Sequence, residues 1–169
     1  MILRALTLAG GLMGAAASSQ FPEYSQQYTQ RLGGAVDALA EVVADFDASA
    51  ATVGLSRDEA LAQMTGTAFL DRRRIDMQTT FARHARLQDD LVTIQNAGPF
   101  MRAYHASRLT DGQIAQAAFA AYQPALPLNF AGVTFAGAGF VAGAGALGLV
   151  LRLLSWPFRR RPGQDAKAA

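Results

Sequence analysis

Cysteine is absent from the 169 residues, so disulfides and thiolate metal sites are excluded. Histidine occurs only twice, and charged residues make up 17% of the chain against 51% hydrophobic, which is poor in charge for a soluble domain. Site motifs are also missing: there is no G-x-S-x-G, no phosphate-binding glycine loop and no H-E-x-x-H. No catalytic, cofactor-binding or metal residue is therefore nominated, and no enzymatic activity is expected.

Two long uncharged runs are present. Phe130 to Leu151 is 22 consecutive residues whose only polar side chain is Thr134, enough as a helix to cross hydrocarbon about 30 Å thick. Trp156 then falls at headgroup depth, Arg152 can snorkel, and Arg159, Arg160 and Arg161 form a basic membrane-surface cluster. At the other end, Arg4 precedes an apolar, small-residue run from Ala5 to Ala17. By pattern this is either a signal peptide with Ala15 and Ala17 at its cleavage site or a first transmembrane helix. Both spans carry small residues at helical spacing: Gly10 and Gly14 in the first, Gly139 and Gly143 in the second, with Ala138, Ala142 and Ala146 on an adjacent row. Such rows let helices pack closely in lipid.

Charge is unevenly placed. Between residues 20 and 125 nine Arg face twelve acidic residues, while residues 152–169 carry five basic groups against Asp165. The formal charge of +2 thus belongs to the C-terminal flank and suits an anionic leaflet, not a nucleic-acid face on the middle of the chain. The basic flanks place both termini in the cytoplasm and the middle in the periplasm.

The middle reads as helices. Phe21, Tyr24, Tyr28, Leu32, Ala35, Leu39, Val42 and Phe46 recur at steps of three and four, one apolar stripe approaching a coiled-coil seam. Gly33 and Gly34 interrupt it and predict a kink or the close approach of another backbone. Asp45 to Gly54 closes this helix, and Ser56 with Glu59 reads as a capping box for the next, about 57–65. A longer helix, about 68–96, carries Leu70, Met77, Phe81, His84, Leu87, Leu91 and Ile94, and ends at Gly98 and Pro99. A turn or two follows through 100–107, then a helix of about 113–122 capped by Thr110 or Asp111 and stopped by Pro124 and Pro127.

Candidate chemistry in this middle is weak. His84 and His105 have no second ligand at helical spacing, and Asp45, Asp47 and Ser49 lack the glycine and glutamate of a calcium loop. Arg72, Arg73 and Arg74 point in three directions beside Asp71 and Asp76, which predicts a solvated ion-pair face. Asp89 and Asp90 are adjacent on a helix and diverge. The stripe residues Tyr24, Tyr28, Leu32, Leu39 and Phe46 are the candidate partner interface.

The run SSQFPEYSQQYTQRLGGAVDALAEVVADFDASAATVGLSRDEAL, taken with VTFAGAGF, resembles a family of proteobacterial inner-membrane proteins of unknown function. Its most specific pieces are SQFPEY, QQY, QRLGGA, VADFD and GLSR, and it covers nearly the whole chain. The resemblance implies a retained first helix and supplies no activity, cofactor or site residue.

The expected fold is thus an all-α membrane protein in which two transmembrane helices flank an extramembrane antiparallel helical bundle or long hairpin. Residues 1–21 form the first span, 22–127 the helical body, 128–156 the second span and 157–169 a basic cytoplasmic tail. The expected role is that of an accessory, assembly or scaffold subunit in the bacterial inner membrane, contacting lipid and a protein partner or further copies of itself, without nucleic acid or a small-molecule substrate. An oligomeric pore and a membrane-tethered ligand-binding domain are the alternatives.

Overall fold

The computed structural model describes residues 2–122 and 129–155, and among these every regular element is helical. The helices are α1 (Ile2–Ser19), α2 (Phe21–Thr52), α3 (Arg57–Gln63), α4 (Ala68–Ile94), α5 (Pro99–Tyr104), α6 (Gly112–Ala120) and α7 (Phe130–Ser155), with a 3-10 turn at Ala106–Arg108. Two compact units result, one built from the terminal helices and one from Glu23–Gln123. Trp156, Arg159, Arg160, Arg161, Pro124 and Pro127 lie outside the described residues.

In the terminal unit, α1 and α7 pack antiparallel over 18 and 26 residues, about 27 and 39 Å of helix. Both terminal segments are long and apolar enough to cross a membrane. Their packing is inverted relative to a water-soluble pair. The buried positions are Gly11, Ser19, Gly132 and Gly139, while Ile2, Leu12, Met13, Val141, Leu149 and Leu154 stand outward. A helix pair with small residues inside and large apolar ones outside gains nothing by hydrophobic collapse in water.

The other unit has an ordinary core. Tyr28, Leu32, Leu87 and Ile94 are fully buried, joined by Val36, Val43, Met77, Leu61, Ile114 and Ala118. Each buried aliphatic side chain stabilises by about 1.5–3 kcal/mol relative to exposure. Phe46 of α2 meets Phe81 of α4 edge-on, ring centroids 5.2 Å apart. Tyr24 of α2 meets the ring of Tyr122 beyond α6 at 6.5 Å.

Local signals fix the helix ends. After α2, Gly54 adopts φ +74°, and the N–H groups of Gly54 and Leu55 return to the carbonyls of Ala51 and Ala50, which satisfies groups the helix end would leave orphaned. Ser56 and Glu59 form the reciprocal capping box at the start of α3. Gly66, at φ +97°, separates α3 from α4, and Thr67 caps α4 through the N–H of Leu70. Asp111, not Thr110, caps α6.

The close approach of a backbone at Gly33 and Gly34 and the place of Val42 on the stripe are corrected. The helix continues unbroken through Gly33 and Gly34, and a Cβ at either position would meet nothing within 4 Å, so no backbone approaches there. Val42 is 43% exposed and Val43 takes its place in the core. Two identical adjacent side chains give the sequence pattern no means of choosing, and Val43 sits four residues past Leu39 on the buried face.

These environments predict opposite responses to adjacent substitutions. Leu32→Ala empties a fully buried position and should lower unfolding stability by about 2–5 kcal/mol. Gly33→Ala adds a methyl into open space and should raise it by up to about 1 kcal/mol. Denaturant unfolding followed by far-UV circular dichroism checks both, and a stability loss in Gly33→Ala would contradict the open surroundings of that residue.

Candidate functional site

The closest approach in the terminal unit is backbone on backbone. An ideal Cβ at Gly14 would lie 2.2 Å from the carbonyl oxygen of Gly139, and one at Gly139 would lie 2.3 Å from that of Gly14. A Cβ at Gly143 would lie 2.3 Å from the Gly10 oxygen, and one at Gly10 would lie 2.8 Å from the Leu147 side chain and 3.1 Å from the Gly143 oxygen. No residue other than glycine fits at Gly14, Gly139 or Gly143 without moving a helix. The gain is dispersion and close Cα–carbonyl contact along two turns, the source of helix association where lipid removes the hydrophobic drive. Phe140 lies across Gly11, where a Cβ would come within 2.6 Å of its ring, and Leu147 covers Gly10.

Gly10, Gly14, Gly139 and Gly143 are therefore brought together. Ala138, Ala142 and Ala146 are not: all three are exposed on α7. Each lies one residue, about 100° of helix rotation, from the glycine or leucine that meets α1. The methyl groups of that row would also hold two backbones apart where Gly139 and Gly143 allow contact.

The other unit is organised around one carboxylate. Asp111 is 9% exposed; its oxygens accept from Arg83 Nη2 at 3.2 Å and Arg86 Nη2 at 3.1 Å, and Oδ1 also accepts the N–H of Ile114 to cap α6. Its own N–H donates to the Tyr28 hydroxyl oxygen at 3.0 Å, across 83 residues of sequence. This set joins α2, α4 and α6 through a satisfied charge, the condition under which a buried carboxylate is tolerated. Burial pushes the Tyr28 phenol above its usual pKa, against the N–H bond from Asp111, which favours the phenolate.

The remaining charges are structural too. Arg57 grips Asp47 through Nε at 2.7 Å and Nη2 at 2.5 Å and lays its guanidinium 4.7 Å from the Phe81 ring centroid, tying α2, α3 and α4. Hydrogen bonding from Arg57 holds the Asp47 carboxyl below its ordinary range. Arg72 pairs with Asp76 and Arg74 with Asp71, both within α4. Asp89 and Asp90, expected to diverge, both bond Nη1 of Arg108, which reaches them from the 3-10 turn. Long side chains from a second element can gather carboxylates that their own helix splays apart.

Part of the candidate interface stripe is taken up by the core. Tyr28 and Leu32 are fully buried and present nothing to a partner; Tyr24, Leu39 and Phe46 are partly covered, Tyr24 and Phe46 in the aromatic pairs described above. His84 is half-buried on the α4 stripe, and His105 lies at the end of α5 with its ring 5.0 Å from that of Tyr104. Among the described residues no group of three His, Asp or Glu is placed to hold a metal ion. Arg83 and Arg86, and the role of Asp111 beyond capping α6, were missed by sequence reasoning; the spacing of Arg83 and Arg86, one helical turn apart, is the signal that could have paired them to one acceptor.

Residues 2–160 match the family described as a protein of unknown function (DUF2937). No curated protein and no solved structure matches the chain.

The glycine contact is testable because the natural chain has no cysteine. A Cβ on Gly148 would lie 3.7 Å from Thr7 Cγ2, so Thr7→Cys with Gly148→Cys should oxidise to an intrachain disulfide. Adding Gly14→Val should abolish that cross-link, whereas Gly145→Val, which meets nothing within 4 Å, should leave it intact. Equal cross-linking in both would contradict the close approach.

Tyr28 predicts a pH dependence. A phenol whose folded pKa is raised keeps its proton where the unfolded chain has lost it, so its contribution is complete below about pH 10 and falls as pH rises further. Tyr28→Phe should cost about 1 kcal/mol at neutral pH by leaving the Asp111 N–H without its acceptor. It should also shallow the loss of stability above pH 10, leaving the part due to Tyr122, whose phenol burial raises likewise. Denaturant midpoints measured across the alkaline range decide this.

Proposed function

The chain belongs to the DUF2937 family, a family of unknown function, and from that premise we propose that it is a small two-span protein of the bacterial inner membrane that acts without catalysis, as an accessory or assembly subunit. The observation carrying this reading is the mutual fit of Gly10 and Gly14 with Gly143 and Gly139. A leader that is cut away has no use for a partner surface on the last helix, so the fit supports retention of α1 as a membrane helix. The outward apolar side chains of both helices call for a lipid surround.

Orientation follows from the flanks. Gly10 opposite Gly143 and Gly14 opposite Gly139 put Arg4 and Arg152 at the same end of the helix pair. Cytoplasmic placement of that end obeys the preference of arginine for the cytoplasmic side and sends the helical body to the periplasm. With Tyr28 and Leu32 spent inside the body, partner contact passes to exposed apolar residues, foremost α5, where Tyr104 is 79% exposed beside the partly exposed Phe100 and Met101. Aromatic residues and methionine are enriched in interface cores.

Ser49→Cys in intact cells should react with a membrane-impermeant maleimide, and the intact protein should retain its first eighteen residues. A photo-cross-linking residue at Tyr104 should yield one discrete heavier adduct that the same residue at Ser49 does not. Labelling only after lysis would refute the orientation, loss of the N-terminal segment would refute the two-span reading, and the lack of an adduct at Tyr104 would refute the contact surface.

A further inference from the structure

Beyond the glycine contact the two terminal helices leave a groove of about 810 Å³. Gly148 lies in its wall and supplies no side chain there; a Cβ at that position would just touch Thr7 Cγ2, at 3.7 Å. Its walls include Leu8 and Thr7 of α1 and Phe140 and Gly148 of α7, and Arg4 and Arg152 both border it. The volume lies within the range of about 300–1,000 Å³ typical of small-molecule sites.

The charge in this groove is uncompensated among the described residues. Neither α1 nor α7 contains an Asp or Glu, and neither guanidinium has a partner among the described residues. The groove hydroxyls do not answer them as free donors: Thr7 Oγ1 donates to the Leu3 carbonyl and Ser155 Oγ to that of Arg152. Two cations, one from each helix, thus stand over a mainly apolar trough. An occupant complementary to both features carries a compact anion at one end and hydrocarbon behind it.

We infer that this groove binds the headgroup phosphate of an anionic glycerophospholipid, held by Arg4 and Arg152, with an acyl chain lying along Leu8 and Phe140. The inference rests on the two-span reading, which sets both arginines at one membrane interface. Guanidinium matches phosphate oxygens by paired, charge-assisted hydrogen bonds, and basic pockets between membrane helices on the cytoplasmic side are suited to lipid headgroups. Such a lipid would also bridge the helices at the level where glycine contact has ended, closing the pair near the first turn of α1.

The test uses the full-length protein in nanodiscs of mixed phosphatidylglycerol and phosphatidylcholine, with retained lipid identified by native mass spectrometry. The wild-type protein should retain phosphatidylglycerol above its bulk share. Arg4→Gln with Arg152→Gln should lower that enrichment by about tenfold or more, the loss of charge-assisted hydrogen bonds. Gly148→Leu, which keeps both charges and fills the trough, should lower it as well, while Arg72→Gln on α4 should not. Enrichment that survives both groove variants, or that Arg72→Gln removes equally, would overturn the site and leave only general attraction of basic residues to anionic lipid. Alkaline extraction of native membranes separates the two levels of inference. An extractable wild-type chain would refute the two-span reading and the groove with it, whereas a membrane-retained chain without enrichment would refute the groove alone.

Discussion

The contact of Gly14 with Gly139 and of Gly10 with Gly143 is the constraint on which the terminal unit depends. At carbonyl-to-Cβ spacings near 2.2 Å even a methyl group is excluded, so the pair is held by shape where apolar burial offers nothing. That choice turns the helices inside out, with glycine and serine between them and leucine, valine and methionine outside. It also sets the register, and register alone places Arg4 beside Arg152 and leaves open the trough at Gly148.

The helical body solves a different problem by different means. Its core is an ordinary aliphatic and aromatic one, yet the elements are joined by charges: Asp111 to Arg83 and Arg86, Asp47 to Arg57, and Asp89 and Asp90 to Arg108. Most of these groups are partly exposed, where an ion pair contributes about 0–1 kcal/mol, so their value lies more in fixing which helix faces which than in stability. Asp111 is the exception by its burial. It combines a helix cap, two guanidinium bonds and a backbone bond to Tyr28, and removing it would strand several donors at once.

Arginine carries contrasting roles in the two units. In the body Arg57, Arg72, Arg74, Arg83, Arg86 and Arg108 each meet a carboxylate within the fold. In the terminal pair neither helix contains an Asp or Glu, and among the described residues no carboxylate meets Arg4 or Arg152.

Local chemistry was legible in the residues themselves. The length and apolarity of the two terminal segments, the glycine spacing in both, the Ser56 and Glu59 capping box, the breaks at Gly54, Gly66 and Gly98 and the all-helical class each depend on neighbours within a turn or two. What depends on azimuth or on distant chain was decided only by the folded structure. It selected Val43 over Val42 and the glycine row of α7 over the alanine row, because a rotation of about 100° is invisible to spacing alone. It buried Tyr28 and Leu32, and it joined Tyr28 to Asp111 across 83 residues, because no periodicity encodes which distant helix will supply a partner.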